Sequence, residues 1–491
     1  MNWLKKIFLI PTLFLFTAGM AQNYQAIHGS SYAGSMGVSY NPASIVHVPH
    51  AWDITPFAVQ FKQSTNAFAI KNFSFLSFLS GPDTVTIALK NGVDNRFLMG
   101  NQDVRLFNTR ISLNTKTAIA FGLNFRNYFF VESSKINVQD TILTLRDFMK
   151  INEGLTPLSG QAAGNAWAEG YASFAHSIVS EERLLNAGVT LKITRGIAGG
   201  YAAADGLNYT ASANNNNPGY DLIAGNLRYG YSANFDKIDS TKTAAANRKL
   251  FLAENNYSWS IDAGLEYILL TDEDKTYGGD FAYDTKIGIA VMDIGRNKYR
   301  HSERSRLAIA GLPGITDTVI ENKFSGITTI DDFNDSLASI ASSFSAVSGD
   351  FFIYQPTRLL INIDQHITKN YFINAELTLP LLPVLAPSSR YIKDLNLIAI
   401  TPRWELRSLG VYLPVLYNQR KQIWVGGAFK AGPLLLGTHN LANLFAKDKL
   451  QTGGLYLAFT YRPGKLYDRA AHYPKEKLSR KVRRQLSCPV F

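Results

Sequence analysis

The chain has 491 residues, a formal charge of +11 and a single cysteine, Cys488, so neither an internal disulfide nor a lipidated cysteine at an export cleavage site is available to it. Residues 465–491 hold eight lysines or arginines against two acids, and the body ahead of them is close to neutral. The basic total therefore does not argue for nucleic acid, and none is expected as a partner.

At the start, Lys5 and Lys6 precede an apolar run from Ile7 to Phe16, interrupted by Pro11, with small residues at Gly19 and Ala21. This pattern predicts a secretory signal peptide over residues 1–21. The run is too short for a membrane-spanning helix, which needs about 20 apolar residues. Next comes a stretch rich in small residues (Gly29, Ser30, Ser31, Ala33, Gly34, Ser35 and Gly37) that ends in Asn41-Pro42-Ala43-Ser44. Pro42 fixes its own φ and biases Asn41 toward an extended backbone, while the Asn41 side chain can accept a bond from the turn that follows. The pair predicts a stiff bend ahead of the first strand.

From residue 51 to 464 the chain alternates apolar and polar residues in segments of about ten. Ile119, Phe121, Leu123 and Phe125 alternate with Asn124 and Arg126; Trp259, Ile261, Ala263, Leu265 and Tyr267 alternate with Asp262 and Glu266. Further on, Leu359, Ile361 and Ile363 alternate with Asn362, Asp364 and His366; Ile373, Ala375 and Leu377 alternate with Asn374 and Glu376; and Leu455, Leu457, Phe459 and Tyr461 close the series. Two stretches break the rhythm. Residues 143–154 predict a short helix, and the spacing of Ile330, Phe333, Leu337, Ile340 and Phe344 predicts a longer one, both as inserts in loops.

Period-two alternation is satisfied by a soluble sandwich or by a transmembrane barrel. Strands of about nine to thirteen residues suit a tilted crossing of a bilayer better than the usual five or six of globular strands. Aromatic residues at strand ends (Tyr128, Phe129, Phe130, Trp259, Tyr267, Tyr456 and Tyr461) suit interfacial girdles. The expected fold is all-β, a transmembrane antiparallel barrel of about 14 to 16 strands in the cell outer membrane, with lipid as its surroundings. A barrel of that width needs filling, so residues 22–50 are expected to form a plug or hatch and residues 465–491 a basic periplasmic tail.

The stretch from Gly29 to Ile45 resembles the N-terminal segment of the FadL-like outer-membrane barrel superfamily, in which small residues and an Asn-Pro-Ala motif lie inside the lumen as a hatch. A second resemblance runs along nearly all of residues 22–491, to an uncharacterised family of Gram-negative outer-membrane barrels defined as a domain of unknown function. It is carried by Asn41-Pro42-Ala43-Ser44, by Leu145-Arg146-Asp147-Phe148 and by the segment Gly432 to Leu441. These resemblances imply an outer-membrane barrel that passes or binds a small apolar ligand, with Asn41, Pro42, Ala43 and Ser44 as hatch residues.

No enzyme and no cofactor is expected. A G-x-S-x-G elbow is absent, and the spacing of Gly29 to Gly34 does not supply one. His47 and His50 flank Pro49 without a nearby third ligand and read as ordinary loop histidines. The stretch Thr271 to Asp280 imitates a calcium loop through Asp272 and Asp274, but its glycine comes one place late at Gly278 and Tyr283 stands where a glutamate is needed. The inward set Asn124, Arg126, Asp262, Glu266, Asn362, Asp364, His366, Asn374 and Glu376 mixes both signs, which suits lumen salt bridges more than a substrate path. The basic tail reads equally as a solvated end or as a contact for anionic headgroups or a periplasmic partner, so a non-transporting scaffold is the rival reading.

Overall fold

The computed structural model describes residues 25–77, 81, 85–179, 183–213, 219–253, 256–270, 283–381, 390–447 and 451–463. The expected signal peptide, the calcium-like stretch, the basic tail and Cys488 lie outside them.

Fourteen antiparallel strands close into one barrel. In chain order they are β1 (Trp52–Thr65), β2 (Gly92–Ser112), β3 (Thr117–Val138), β4 (Leu158–Val179), β5 (Arg183–Ala211), β6 (Tyr257–Leu269) and β7 (Thr285–Arg300). They continue with β8 (Arg358–Thr368), β9 (Tyr371–Pro380), β10 (Leu397–Glu405), β11 (Leu409–Tyr412 and Val415–Asn418), β12 (Ile423–Val425 and Gly427–Ala431), β13 (Leu434–Thr438) and β14 (Leu455–Tyr461). β14 pairs back onto β1, with Phe57 opposite Phe459 and Gln60 opposite Tyr456, so the sheet has no edge within the wall.

One end of the barrel carries mostly tight connections, such as those joining β2 to β3, β8 to β9 and β12 to β13, and the chain both enters and leaves the wall there. The other end carries the long loops and all of the described helices: α1 (Leu145–Asn152), α2 (Ala244–Ala253), α3 (Asp317–Phe324), α4 (Ile330–Ala338) and α5 (Ala442–Phe445). Three of these helices, α1, α3 and α4, start at a capping threonine, and Thr316 accepts from the Val319 N–H ahead of α3. Thr144 accepts from the Asp147 N–H, and Thr329 forms a reciprocal box with Asp332. The second expected helix ends earlier than its periodicity suggested, because Phe344 joins a strand over Ser343–Ala346.

The alternation sorts cleanly by face. Phe121, Leu123, Ile261, Leu265, Ile363 and Ile373 are exposed, whereas Asn124, Asp262, Glu266, Asn362, Asp364, Asn374 and Glu376 are buried. Exposed Leu191, Ile289, Ile400, Val411, Phe429 and Leu436 continue the apolar surface round the wall. No soluble monomer presents such a continuous apolar band, whereas a bilayer requires one. The protein is an outer-membrane β-barrel.

Two expectations need correction. β2 to β5 run for 21, 22, 22 and 29 residues, well beyond a bilayer crossing, because their loop-side halves keep pairing above it and support α1 and Tyr220–Tyr231. Of the expected girdle, Trp259 and Tyr461 do face outward at 67% and 54% exposure, but Tyr128, Phe130 and Tyr456 are buried on the inner face. Strand-end position alone does not say which way a ring points; parity along the strand does.

Candidate functional site in the barrel lumen

At the turn side the chain from Gln25 to His50 packs against buried faces of the wall strands, folded into short 3-10 turns over Gln25–Ile27, Gly34–Ser39 and Pro42–Ile45. Asn41 is extended (φ −155°, ψ 112°), and its carbonyl side-chain oxygen accepts from the Ala43 N–H at 2.9 Å. Its amide donates across the lumen to the Leu265 carbonyl of β6 at 2.8 Å. Ala43 is fully buried, and the Ser44 hydroxyl donates to the Asn41 carbonyl at 2.8 Å. Three wall glycines make this approach possible. A Cβ at Gly188 would meet the Pro42 backbone at 2.5 Å, one at Gly264 the Asn41 Oδ1 at 2.1 Å, and one at Gly288 the Asn41 Nδ2 at 3.1 Å.

Wall side chains grip the same segment. Glu376 receives His28 Nδ1 at 2.6 Å, and Glu405 receives the Ser30 hydroxyl at 2.7 Å. Lys286 reaches Ser31 Oγ at 2.6 Å, and Arg110 donates to the carbonyls of Ile45 and His50, both at 2.6 Å. Glu405 is shared with Lys430, Tyr412 and Arg403, and Arg403 continues to Asp364 at 2.7 Å. His47 and His50 lie in the irregular segment ahead of β1 and are buried there, at 1% exposure each.

Above this layer the lumen is crossed by charges centred on Asp293. Its carboxylate meets Arg126 at 2.5 Å, Lys192 at 2.7 Å and Arg358 at 2.7 Å, and its own N–H donates to Asp262 at 2.7 Å. Arg126 also holds Asp103 at 3.0 Å, and Asn124 donates to Glu169 at 2.9 Å. The space left at this hub is about 20 Å³, enough for about one water. Nearer the loops the inner face turns apolar: Phe97, Met99, Tyr128, Phe130, Trp167, Tyr299, Phe351 and Trp424 form one buried cluster with Ile392 and Leu395 of the loop before β10.

Of the expected lumen residues, Arg126, Asp262 and Asn124 join the hub; Asp364 and Glu376 join the turn-side layer; and Glu266 accepts from Asn186 at 3.0 Å. Asn362 lines the space under the N-terminal segment with Gly29 and Asn41. Asn374 is buried, and its Nδ2 donates no hydrogen bond among the described residues. His366 stands apart at the rim, bonded to the Lys369 carbonyl of the turn at 2.9 Å. Sequence reasoning missed Lys192, Asp293, Arg358, Arg403, Glu405 and Lys430. Lys192 sat in plain view on the inward parity of β5, and Asp293 did not.

A family model described as a family of unknown function, DUF5723, matches residues 42–439. The chain belongs to that family. No curated protein matches it in sequence. Among solved structures it is similar to a FadL homologue of Pseudomonas aeruginosa, at 11% identity over 91% of this chain and 100% of that one, with a TM-score of 0.42. It is also similar to the toluene transporter TbuX of Ralstonia pickettii, at 10% identity, 91% and 99% coverage and a TM-score of 0.39. A third is the CymD monoaromatic hydrocarbon channel, at 8% identity, 91% and 98% coverage and a TM-score of 0.34.

Proposed function

We propose that this outer-membrane barrel binds or passes a small apolar ligand, with residues 22–50 acting as a hatch at the turn-side mouth through Asn41, Pro42, Ala43 and Ser44. The observation that carries the reading is the apolar inner layer on the loop side of the lumen. A barrel that only braced itself with salt bridges, or that conducted water, would have no use for Met99, Phe130 and Phe351 in that buried layer. An apolar molecule arriving from the loop side would displace Ile392 and Leu395 from that layer, and the hub and hatch beneath would bar ions meanwhile.

The rival reading is a scaffold that acts through its loops and the tail 465–491. It is favoured by the narrowness of the lumen at the hub, whose 20 Å³ suits a water and no larger ligand. Protein extracted in detergent and titrated with toluene, followed through the emission of the buried tryptophans Trp167 and Trp424, separates the two. Saturable quenching that is lost in Phe351→Asp supports the apolar-ligand reading. No response, together with partners recovered only when residues 465–491 are present, supports the scaffold.

A further inference from the structure

We propose that the inner wall where β12, β13, β14, β1 and β2 adjoin carries a binding site for an oxyanion, built around Lys62. This stands apart from the apolar-ligand reading, since it rests on polar groups that the hatch and the hub leave unused.

Lys62 projects inward from β1 and is 5% exposed; among the described residues its ammonium meets only the Trp424 ring, 5.4 Å from the centroid. An aromatic face attracts a cation but offers no lone pair to its three N–H donors. On the adjoining elements lie further buried polar atoms with no hydrogen-bond partner among the described residues: both amide atoms of Gln60, Nε1 of Trp424, Oδ1 of Asn101 and both ring nitrogens of His439. Their placement is concerted. Gln60 and Lys62 share one face of β1, two residues apart; Lys62 pairs in register with Asn101 on β2, and Gln60 with Tyr456 on β14. The His439 ring lies against that of Tyr456, with centroids 4.9 Å apart.

Buried polar groups in native proteins are nearly always satisfied, and six unpartnered atoms on these adjoining elements mark a place where something polar belongs. The donors specify what. An ammonium, a carboxamide NH₂, an indole N–H and one N–H of a neutral imidazole outnumber the acceptors, so the complement is an acceptor-rich anion, of carboxylate or phosphate type. Asp394 lines the same cavity as Lys62 and Asn101 and is a charged neighbour of Lys62, but among the described residues the two form no ion pair within 4.0 Å, and the Asp394 Oδ1 accepts from the Leu395 N–H at 2.8 Å. That cavity is about 10 Å³, a water's worth, closed by Lys393, Asp394 and Leu395. An anion therefore enters with that cover displaced.

The test uses the full chain in detergent, titrated calorimetrically with inorganic phosphate and with acetate against sodium chloride of equal ionic strength. The expected result is a saturable, single-site response to at least one oxyanion and none to chloride. Lys62→Met and Gln60→Leu should each weaken it tenfold or more, while Lys242→Met, on an exposed loop, leaves it unchanged. If Lys62→Met fails to assemble, Gln60→Leu decides alone, since it removes only unpartnered atoms. Dodecyl phosphate distinguishes the sources: tighter binding than phosphate assigns the site to an amphiphile's headgroup, and equal binding to a free ion. A non-saturating response in the native chain, or undiminished binding in the assembled variants, overturns the proposal and leaves the patch to ordered water.

Discussion

Asp293 adopts φ +58° in the middle of a strand, a conformation that residues other than glycine seldom take. The register between β6 and β7 slips between Val291 and Ile294, so the extra residue turns inward a side chain that strict alternation would have pointed at lipid. Three cations, Arg126, Lys192 and Arg358, then share its carboxylate. Removing one member of a buried charge network while leaving the others costs about 3 to 5 kcal/mol. Asp293→Asn keeps the size and the tolerance for this backbone but strands the cations, and is expected to destabilise the barrel by about that amount, read from its urea midpoint in lipid vesicles. Asp293→Gly relaxes the backbone and loses the same charge, so it should be scarcely better. An Asn variant as stable as the native chain would take the hub out of the account of stability.

At the scale of elements, alternation separates exposed from buried side chains along the strands, because in a barrel wall each strand has two environments and parity chooses between them. Lys192 and Arg358 follow the same parity as Thr190 and Leu360 and were open to the same reasoning. Asp293 was not, since a bulge is a defect in the very period being read, and no residue type near it announces one. The length of β5 was hidden for a related reason: beyond the bilayer its partner is Tyr220–Tyr231, and pairing between distant segments leaves no local mark. The facing assignment predicts that Leu123→Arg or Ile363→Arg costs about 2 to 4 kcal/mol near the midplane. Heat-modifiable migration of refolded protein checks it, and normal assembly of both variants would contradict the assignment.

The loop helices make a prediction of their own. Burial pushes the Asp317 carboxyl up, but the bonds it accepts from Arg146, at 2.6 Å, and from the Thr318 N–H outweigh this and hold it below the usual 3.8. A carboxyl so depressed stabilises the fold above its unfolded pKa, and that contribution is lost as pH falls through the folded value. Docking of α1 on α3 is thus intact at neutral pH and weakens in acid below 3.8. Amide exchange at pH 3 should accelerate in α1 and α3, with β8 and β9 unaffected; unchanged protection of both helices would assign their docking to apolar contacts alone.

For the whole molecule, the question is whether the segment Gln25–His50 only packs on the wall or closes the lumen as a hatch. Its hold on the wall combines side-chain grips that can be removed only by stranding charges with backbone packing on glycines that can be blocked from the wall side. Gly264 is the cleaner lever. A Cβ there would strike Asn41 Oδ1 at 2.1 Å and the Ala290 Cβ at 3.1 Å, whereas at Gly164 a Cβ meets only Phe129 Cβ at an ordinary 3.8 Å. Gly264→Val also replaces glycine by a strand-favouring residue, and within the wall it asks only that Ala290 give by a few tenths of an ångström. The expected outcome is a barrel that assembles normally but shows raised single-channel conductance in planar bilayers, with Gly164→Ala indistinguishable from the native chain. Asn41→Gly combined with Pro42→Gly should move conductance the same way, since it removes the bond to Leu265 and the fixed bend together. Should the assembled Gly264→Val barrel stay as tight as the native one, the charged hub around Asp293 is the barrier, and the N-terminal segment is packing that a permeating molecule never has to displace.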